Sequence, residues 1–216
     1  MAPILAYWDI RGLAEPIRLL LNYTETEFKD ERYEIGDGPD YKAESWTSVK
    51  YTLGLDFPNL PYYIDGDVKI TQSNAIMRHI ARKHDLFGST EEQNIRMDVA
   101  ENQLMDVRNK FVGLCYNPDF ENLKAGYIKS VKSSIQQLSD FLGEREFLAG
   151  EKITFVDFIL YEMMDQHRIF EPSLLEPHNN LKEFLTRIEE LPTIAAYMKS
   201  DKFKAHPINN KMAKFK

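Results

Sequence analysis

The sequence predicts an α+β fold with two domains, a mixed α/β domain over residues 1–83 and an all-helical domain over residues 90–216. Two observations carry this prediction. Strand and helix patterns alternate through the first 83 residues, in the order βαβ, an irregular helical stretch and then ββα. From residue 90 onwards no strand pattern remains, and apolar residues recur only at helical spacing. Residues 84–90 form the predicted linker between the domains.

In the first domain, apolar runs and turn residues locate each element. Pro16 fits only the first turn of a helix, so the first helix must begin just before it. Asp65-Gly66 separates two short apolar runs and is typical of a hairpin turn, because glycine adopts a positive φ at no steric cost. The predicted elements are a strand at residues 4–7, a helix from just before Pro16, a weaker strand at 28–35, a hairpin at 62–70 and a helix from about Ser73.

The second domain is predicted to be a helical bundle. Thr154 and Asp157 have the form of a capping box, which would begin a helix that runs to Ile169. This segment is apolar nearly all round, so we expect the helix at the centre of the bundle. The other helices are predicted through residues 104–114, 127–141, 180–190 and 192–200.

Composition limits the class of protein. The 216 residues are 43% hydrophobic and 28% charged, which suits a buried core and excludes a disordered chain. The net charge of −7 makes the chain a poor ligand for nucleic acid or an anionic membrane. One cysteine indicates a reducing compartment, and no apolar run approaches the roughly 18 residues that span a bilayer. We therefore predict a cytoplasmic protein with no nucleic acid or membrane partner.

Metal and nucleotide chemistry are not expected. The five histidines show no metal-ligand spacing. The glycines form neither a G-x-G-x-x-G fingerprint nor a phosphate-binding loop. Cys115 lies in a predicted helix, and we expect a buried small hydrophobe there rather than a reactive thiol. The sequence thus predicts no metal site and no bound cofactor.

Several polar residues stand where ligands bind in open α/β folds. Tyr7 ends the first strand, at the sheet edge where such folds bind ligands. Trp46 and Lys50 are four residues apart, so an indole N–H and an ammonium group can face one target. Gln72-Ser73 opens a helix, where free N–H groups favour a carboxylate. Each also has a structural alternative: a core tyrosine, a solvated lysine and a helix cap.

Together these residues carry a family resemblance. Residues 7–13 (YWDIRGL), 54–62 (GLDFPNLPY) and 70–76 (ITQSNAI) closely resemble the cytosolic glutathione transferases. Residues 115–120 (CYNPDF) and the loop at 36–41 are similar to the mu class of that family. The resemblance extends from about residue 3 to residue 210.

The resemblance implies a thioredoxin-like N-terminal domain that binds glutathione and an all-helical C-terminal domain that contributes the electrophile site. It also implies a homodimer, a cis peptide bond between Leu60 and Pro61, and a detoxifying transferase that conjugates reduced glutathione to electrophilic small molecules. Glutathione is then a co-substrate and no cofactor is needed. The alternative is a non-catalytic binding protein on the same scaffold, because a fold does not fix a function.

The resemblance also assigns roles in glutathione binding. Tyr7 would donate its hydroxyl to the sulfur, and Tyr116 would assist addition to epoxides and enones, so these two residues are the expected catalytic groups. Asp106 would reach the γ-glutamyl ammonium group in the partner subunit; its alternative is a carboxylate on a helix surface. The implied glutathione-binding residues are Tyr7, Trp8, Leu13, Trp46 and Lys50 (for the glycine carboxylate), Asn59, Leu60 (through its backbone), Gln72 and Ser73 (for the γ-glutamyl end) and Asp106.

The electrophile pocket and the dimer contact are implied in the same way. Asn109 and Asn209 stand where many mu-class enzymes have apolar residues, which puts a preference for large apolar electrophiles in question. Phe57 would anchor the dimer interface, and its alternative is a loop residue that folds back onto its own domain. The implied pocket residues are Ile10, Leu13, Met105, Asn109, Val112, Tyr116 and Asn209.

Overall fold

The computed structural model describes residues 2–216, and these contain eight α-helices, one short 3₁₀ turn and one four-stranded sheet. The elements are β1 (Ile4–Trp8), α1 (Glu15–Tyr23), β2 (Lys29–Tyr33), α2 (Glu44–Thr47), β3 (Tyr62–Asp65), β4 (Val68–Thr71), α3 (Ser73–Lys83), α4 (Glu91–Cys115), α5 (Phe120–Leu142), α6 (Phe155–Phe170), α7 (Asn179–Glu189) and α8 (Pro192–Met198). The 3₁₀ turn covers Pro172–Leu174. The predicted α+β fold, a thioredoxin-like domain followed by a helical domain, is confirmed, and the domain boundaries stay a prediction.

The sheet has the strand order β2-β1-β3-β4, with β1 parallel to β2 and antiparallel to β3. The predicted hairpin is confirmed: β3 and β4 pair in antiparallel register around Gly66, whose φ is +61°. Helix α1 begins one residue before Pro16, as the proline requires. Because β1 is an inner strand, the loop that follows it leaves the sheet between β2 and β3 rather than beside an outer strand.

Helix α6 forms the centre of the helical domain. All but three of its residues are buried, as the apolar pattern predicts. The capping box is confirmed, since the Asp157 carboxylate accepts hydrogen bonds from the backbone N–H and the hydroxyl of Thr154 at 2.8 and 2.9 Å. The same carboxylate also accepts the N–H of Leu148 at 2.8 Å, which ties the preceding loop to the helix start.

A buried ion cluster joins the two domains. Arg11, in the loop after β1, is 1% exposed and donates to both Glu162 and Asp165 of α6. In addition, Tyr197 of α8 donates to the Glu15 carboxylate of α1 at 2.8 Å. Moving the loop after β1 away from α6 would leave the Arg11 charge buried without its partners, which is costly. These contacts therefore hold the loop against α6.

The C-terminal segment returns to the same loop. The backbone N–H groups of Arg11 and Gly12 donate to the carbonyls of Pro207 and Ile208 at 2.9 and 3.1 Å. Farther along, the Lys214 N–H donates to the Cys115 carbonyl at 2.7 Å. The last residues therefore lie beside the end of β1 and the end of α4. Nothing in the local sequence pattern indicates this path.

His167 is a buried histidine whose lowered pKa keeps it neutral at pH 7. Its Nδ1 lies 2.7 Å from the Met163 carbonyl, and its Nε2 lies 2.7 Å from the Tyr127 hydroxyl. A carbonyl only accepts, so Nδ1 carries the proton and Nε2 accepts from the tyrosine. Burial lowers the pKa of His167 to about 4.

This histidine is expected to destabilise the fold on acidification. Between a pKa of about 4 in the folded state and about 6.5 in the unfolded state, the unfolded chain binds the extra proton. The neutral His167 therefore contributes its full share to the free energy of unfolding near pH 7, and about 2 kcal/mol of that share should be lost at pH 5. We expect urea denaturation to show that, from pH 7 to pH 5, the free energy of unfolding falls by about 2 kcal/mol more in wild type than in His167→Gln.

Comparison with the variant is necessary because burial raises the pKa of Asp157 to about 6, which stabilises the fold at low pH. His84→Gln, at an exposed histidine, is the matched control. An unchanged pH slope in His167→Gln would mean that His167 binds its proton as readily in the folded protein as in the unfolded chain.

Candidate active site

Tyr7 lies at the carboxyl end of β1, as expected, and is only 6% exposed. The loop that follows curls back over its ring. Gly12 has a φ of +46°, and a Cβ atom at this position would come within 2.5 Å of the Tyr7 ring and 2.9 Å of its hydroxyl oxygen. Glycine is therefore required here for two reasons, its backbone conformation and the close approach of the phenol.

The Tyr7 phenol stays protonated at neutral pH. Burial raises the pKa of Tyr7, while the charge of Arg108, a hydrogen bond from the Leu13 backbone N–H and the charge of Arg18 act in the opposite direction. The Leu13 N–H acts on the phenol oxygen and not on its proton, so the O–H remains free to donate. The site thus offers a fixed hydrogen-bond donor, which can stabilise an anion placed beside it.

Tyr7 belongs to one packed apolar cluster that contains other predicted site residues. Trp46 and Leu60 are buried in this cluster, and Trp8 and Leu13 pack against it. Trp46 stacks on Tyr62 with ring centroids 5.9 Å apart. The structure therefore brings together residues that lie as many as 53 positions apart in the sequence.

Trp46 and Lys50 are adjacent, as their spacing predicts. The Lys50 N–H donates to the Trp46 carbonyl at 2.9 Å, so the two residues are one helical turn apart. Within residues 2–216, neither the Trp46 indole N–H nor the Lys50 ammonium group has a hydrogen-bond acceptor, and the ammonium lies 5.4 Å from the centre of the Tyr51 ring. Both donors are available for a carboxylate.

The Leu60–Pro61 peptide bond is cis, in agreement with the resemblance. The Asn59 side-chain oxygen accepts the Leu60 backbone N–H at 2.9 Å. A ligand backbone that pairs with the Leu60 N–H must share or displace this contact. Asn59 itself is exposed.

Gln72 and Ser73 stand at the start of α3, where the helix presents free N–H groups. Gln72 has a φ of +73°, which is unusual for a residue with a side chain. Such backbone strain costs about 1–3 kcal/mol and is concentrated at ligand-binding sites. Ser73 lines a cleft between the two domains together with Gly12, Leu13 and Met105.

The predicted electrophile residues divide between two depressions. Leu13 and Met105 line the cleft beside Ser73. Ile10 and Asn209 line a second depression, which extends to the C-terminal segment. Val112 is half-buried and Asn109 is exposed, and neither lines either depression. Asn209 is buried and donates to the Phe215 carbonyl at 3.1 Å, so its amide serves the C-terminal segment.

Tyr116 joins α4 to the C-terminal segment. Its hydroxyl accepts the Asn210 backbone N–H at 2.8 Å, which leaves the O–H free to donate. Burial raises the pKa of Tyr116, so this phenol is also protonated at neutral pH. Tyr116 can therefore act as a proton donor while it holds the segment that closes the second depression.

The sequence reasoning missed Arg108. This side chain lines the cleft with Gly12, Leu13 and Ser73. It stands three residues after Met105 and four before Val112, so helical spacing alone would have placed it on the same face of α4.

Asp106 and Phe57 are both exposed, Phe57 by 73%. Among residues 2–216, no group of three or more His, Cys, Asp or Glu side chains is placed to hold a metal ion. No helix over the same range is long and apolar enough to cross a membrane.

Two domain families match the chain: Glutathione S-transferase, N-terminal domain, over residues 3–82, and Glutathione S-transferase, C-terminal domain, over residues 105–201. Glutathione S-transferase Mu 1 of Bos taurus is 55% identical over 213 residues, which cover 99% of this chain and 98% of that protein. Glutathione S-transferase Mu 1 of Rattus norvegicus is 53% identical over 215 residues, which cover 100% of this chain and 99% of that protein.

Solved structures agree with this assignment. Glutathione S-transferase Blo t 8 superposes with a TM-score of 0.90 at 34% identity, covering 97% of this chain and 98% of that one. The Pi-class glutathione S-transferase of Onchocerca volvulus superposes with a TM-score of 0.88 at 32% identity, covering 99% and 100% of the two chains. The chain therefore belongs to the glutathione transferases and, within that family, to the mu class.

Proposed function

We propose that this enzyme transfers the sulfur of reduced glutathione to an electrophilic carbon, with Tyr7 as the group that holds the sulfur as a thiolate. The observation that carries the proposal is the buried Tyr7 phenol at the end of β1, with Gly12 packed against its ring and hydroxyl; burial also raises the pKa of Tyr7. An ordinary thiol has a pKa of about 8.5, so only a few per cent is thiolate at pH 7. A preorganised O–H donor stabilises the thiolate over the thiol and raises that fraction.

In an aromatic substitution, the thiolate attacks the carbon that carries a halide. A carbon–sulfur bond forms, and the carbon–halogen bond breaks with its electron pair leaving on the halide. In an addition to an epoxide or enone, the new alkoxide or enolate needs a proton donor. The free O–H of Tyr116 is suited to this second role.

Glutathione would lie along the edge formed by the end of β1 and the start of α3. The unpaired donors of Trp46 and Lys50 suit its glycine carboxylate. The N–H groups at the start of α3, with Gln72 and Ser73, suit the γ-glutamyl carboxylate. Trp8, Leu13 and the Leu60 backbone would complete the site, with Asn59 nearby.

A homodimer would complete the site with a residue of the second subunit. The Asp106 carboxylate is exposed on α4 and has no hydrogen-bond partner among residues 2–216, so it is free to reach a γ-glutamyl ammonium group across the interface. On the same helix, Ile95 and Val99 are each 54% exposed and four residues apart. This apolar face suits the Phe57 side chain of a second copy.

Two further parts of the proposal concern the surroundings of the enzyme. Glutathione acts as a co-substrate, so no resident cofactor is required. A compartment that supplies reduced glutathione and keeps Cys115 as a free thiol suits the chain, which favours the cytoplasm.

Turnover of glutathione with 1-chloro-2,4-dinitrobenzene, followed spectrophotometrically, tests the proposal. We expect a rate well above the uncatalysed reaction. Tight glutathione binding without turnover of this compound or of an epoxide would indicate a binding protein on the same scaffold.

Tyr116→Phe is expected to affect only one class of electrophile. Loss of a general acid should slow epoxide opening or enone addition about tenfold or more. Aromatic substitution forms no alkoxide, so chlorodinitrobenzene turnover should stay the same. It should rise if product release is limiting, because the variant also frees Asn210. Steady-state kinetics with both substrates decide this, and equal losses on both would assign Tyr116 a structural role.

A further inference from the structure

Trp46 is held in place by aromatic contacts rather than by a hydrogen bond of its own side chain. The ring is buried, and within residues 2–216 its indole N–H has no acceptor. Trp46 lies in α2, which has only four residues and no side-chain cap. A helix this short is not stable by itself in water, because a single turn does not repay the cost of nucleation. The direction of the indole N–H therefore depends on what packs against the ring.

Two tyrosines make this contact. Tyr62 stacks on Trp46 with ring centroids 5.9 Å apart and planes at 29°, and Tyr33 packs against Trp46 at 5.4 Å and 55°. The two phenols also contact each other, since their hydroxyl oxygens are 2.9 Å apart and one donates a hydrogen bond to the other. All three side chains are buried. The ring of Trp46 thus rests on a pair of tyrosines that a hydrogen bond joins.

The sheet brings the two tyrosines together. Tyr33 ends β2 opposite Trp8 of β1, and Tyr62 begins β3. The partner of Tyr62 is Ala6, two residues before Trp8 on β1, so both tyrosines lie on one face of the sheet. Strands β2 and β3 are roughly 9–10 Å apart, because β1 lies between them. Ala6 is small enough for the two phenols to meet across it, and their hydrogen bond fixes the distance between the rings that support Trp46.

We propose that Tyr33 and Tyr62 are positioning residues, which orient Trp46 so that its indole N–H faces the glycine carboxylate of glutathione. The inference rests on the proposed function and on the role of Trp46 within it. A donor that is held in place before the ligand arrives loses less freedom on binding, and it therefore contributes more to affinity. The pair should matter for the glycine end of glutathione and for no other part of the peptide.

A matched pair of ligands tests the proposal, because γ-glutamylcysteine differs from glutathione only by the missing glycine. We expect Tyr62→Phe and Tyr33→Phe each to raise Kd for glutathione about three- to tenfold, the range for loss of one neutral hydrogen bond. Kd for γ-glutamylcysteine and kcat at saturating glutathione should each change about twofold at most, as expected for independent groups. Isothermal titration calorimetry and steady-state kinetics measure these values.

Two combined variants and one control sharpen the test. Because one bond joins the two phenols, Tyr33→Phe with Tyr62→Phe should bind glutathione no more weakly than the weaker single variant. Trp46→Phe keeps an aromatic ring but removes the N–H, so adding Tyr62→Phe to it should cause no further loss. Tyr63→Phe is the matched control and should leave both affinities unchanged, because Tyr63 is a buried phenol of the same strand in the other apolar cluster. Thermal unfolding of each variant separates a loss of stability from a loss of affinity.

Equal losses for the two ligands in Tyr33→Phe and Tyr62→Phe would overturn the inference, because they would show a general disturbance of the site. Wild-type affinity of both variants for glutathione would overturn it as well. If Trp46→Phe binds glutathione as tightly as wild type, the proposed role of Trp46 fails and the inference fails with it. A wild-type protein that binds neither ligand would instead count against the proposed transferase function itself.

Discussion

Tyr7→Phe is expected to lower turnover of glutathione with chlorodinitrobenzene by about a hundredfold or more, while glutathione affinity changes only a few-fold. The hydroxyl is a preorganised donor to the sulfur, and removing one such donor typically costs ~10²-fold in rate. The remainder of the peptide is held by other groups, so its binding should persist. Steady-state kinetics and equilibrium binding of glutathione measure the two effects separately.

The decisive measurement is the pKa of the bound thiol. Titration of the thiolate by ultraviolet absorbance should give a higher pKa in Tyr7→Phe than in wild type, and each unit corresponds to about 1.36 kcal/mol. Tyr63→Phe is the matched control, because Tyr63 is a buried phenol of the same sheet in the other apolar cluster. A thiolate titration that is the same in Tyr7→Phe and wild type would remove Tyr7 from the proposed mechanism.

Phe57→Ala is expected to dissociate the proposed dimer at micromolar concentrations. Phe57 is 73% exposed in the single chain, on a loop that Pro58 holds extended, so it does not fold back onto its own domain. Truncation of an aromatic anchor commonly costs ≥2 kcal/mol. Two symmetric contacts would cost about 4 kcal/mol, which is nearly a thousandfold in dissociation constant.

Sedimentation equilibrium of wild type and variant measures this effect. Glutathione binding should weaken in parallel, because Asp106 of one subunit would no longer reach the site of the other. Tyr51→Ala is the matched control for the sedimentation measurement, since Tyr51 is 79% exposed on the same domain and has no proposed contact with a second copy. A Phe57→Ala dimer as tight as wild type would leave Phe57 as an ordinary loop residue.

Much of the fold follows from local patterns in the sequence. The position of Pro16, the turn at Gly66 and the capping box of Thr154 and Asp157 each predict an element boundary that the structure confirms. Apolar periodicity underestimates the length of α4, which begins at Glu91 rather than near residue 104. The first turns of this helix are largely polar and exposed, so the apolar spacing that marks a buried face is weak there.

The candidate site was predictable to the extent that its residues sit in short motifs. Each motif lies at the end of an element or on one helical turn, where the spacing indicates that the side chains face the same ligand. The motifs are Tyr7, Trp46 with Lys50, and Gln72 with Ser73. Arg108 was not predicted, because a charged residue on a helix normally faces water and only the tertiary structure places it beside Gly12, Leu13 and Ser73.

The sequence by itself determined the elements and their order, because φ preferences, turn residues and apolar periodicity act over a few residues. The class of chemistry came from the resemblance of its short motifs to the glutathione transferases. Only the tertiary structure decided how the site is closed. Arg11 pairs with Glu162 across 151 positions, and the N–H groups of Arg11 and Gly12 bond to carbonyls of the C-terminal segment. Such contacts depend on the path of the whole chain, since their free energy is gained only after two domains have packed and brought distant residues within hydrogen-bond distance.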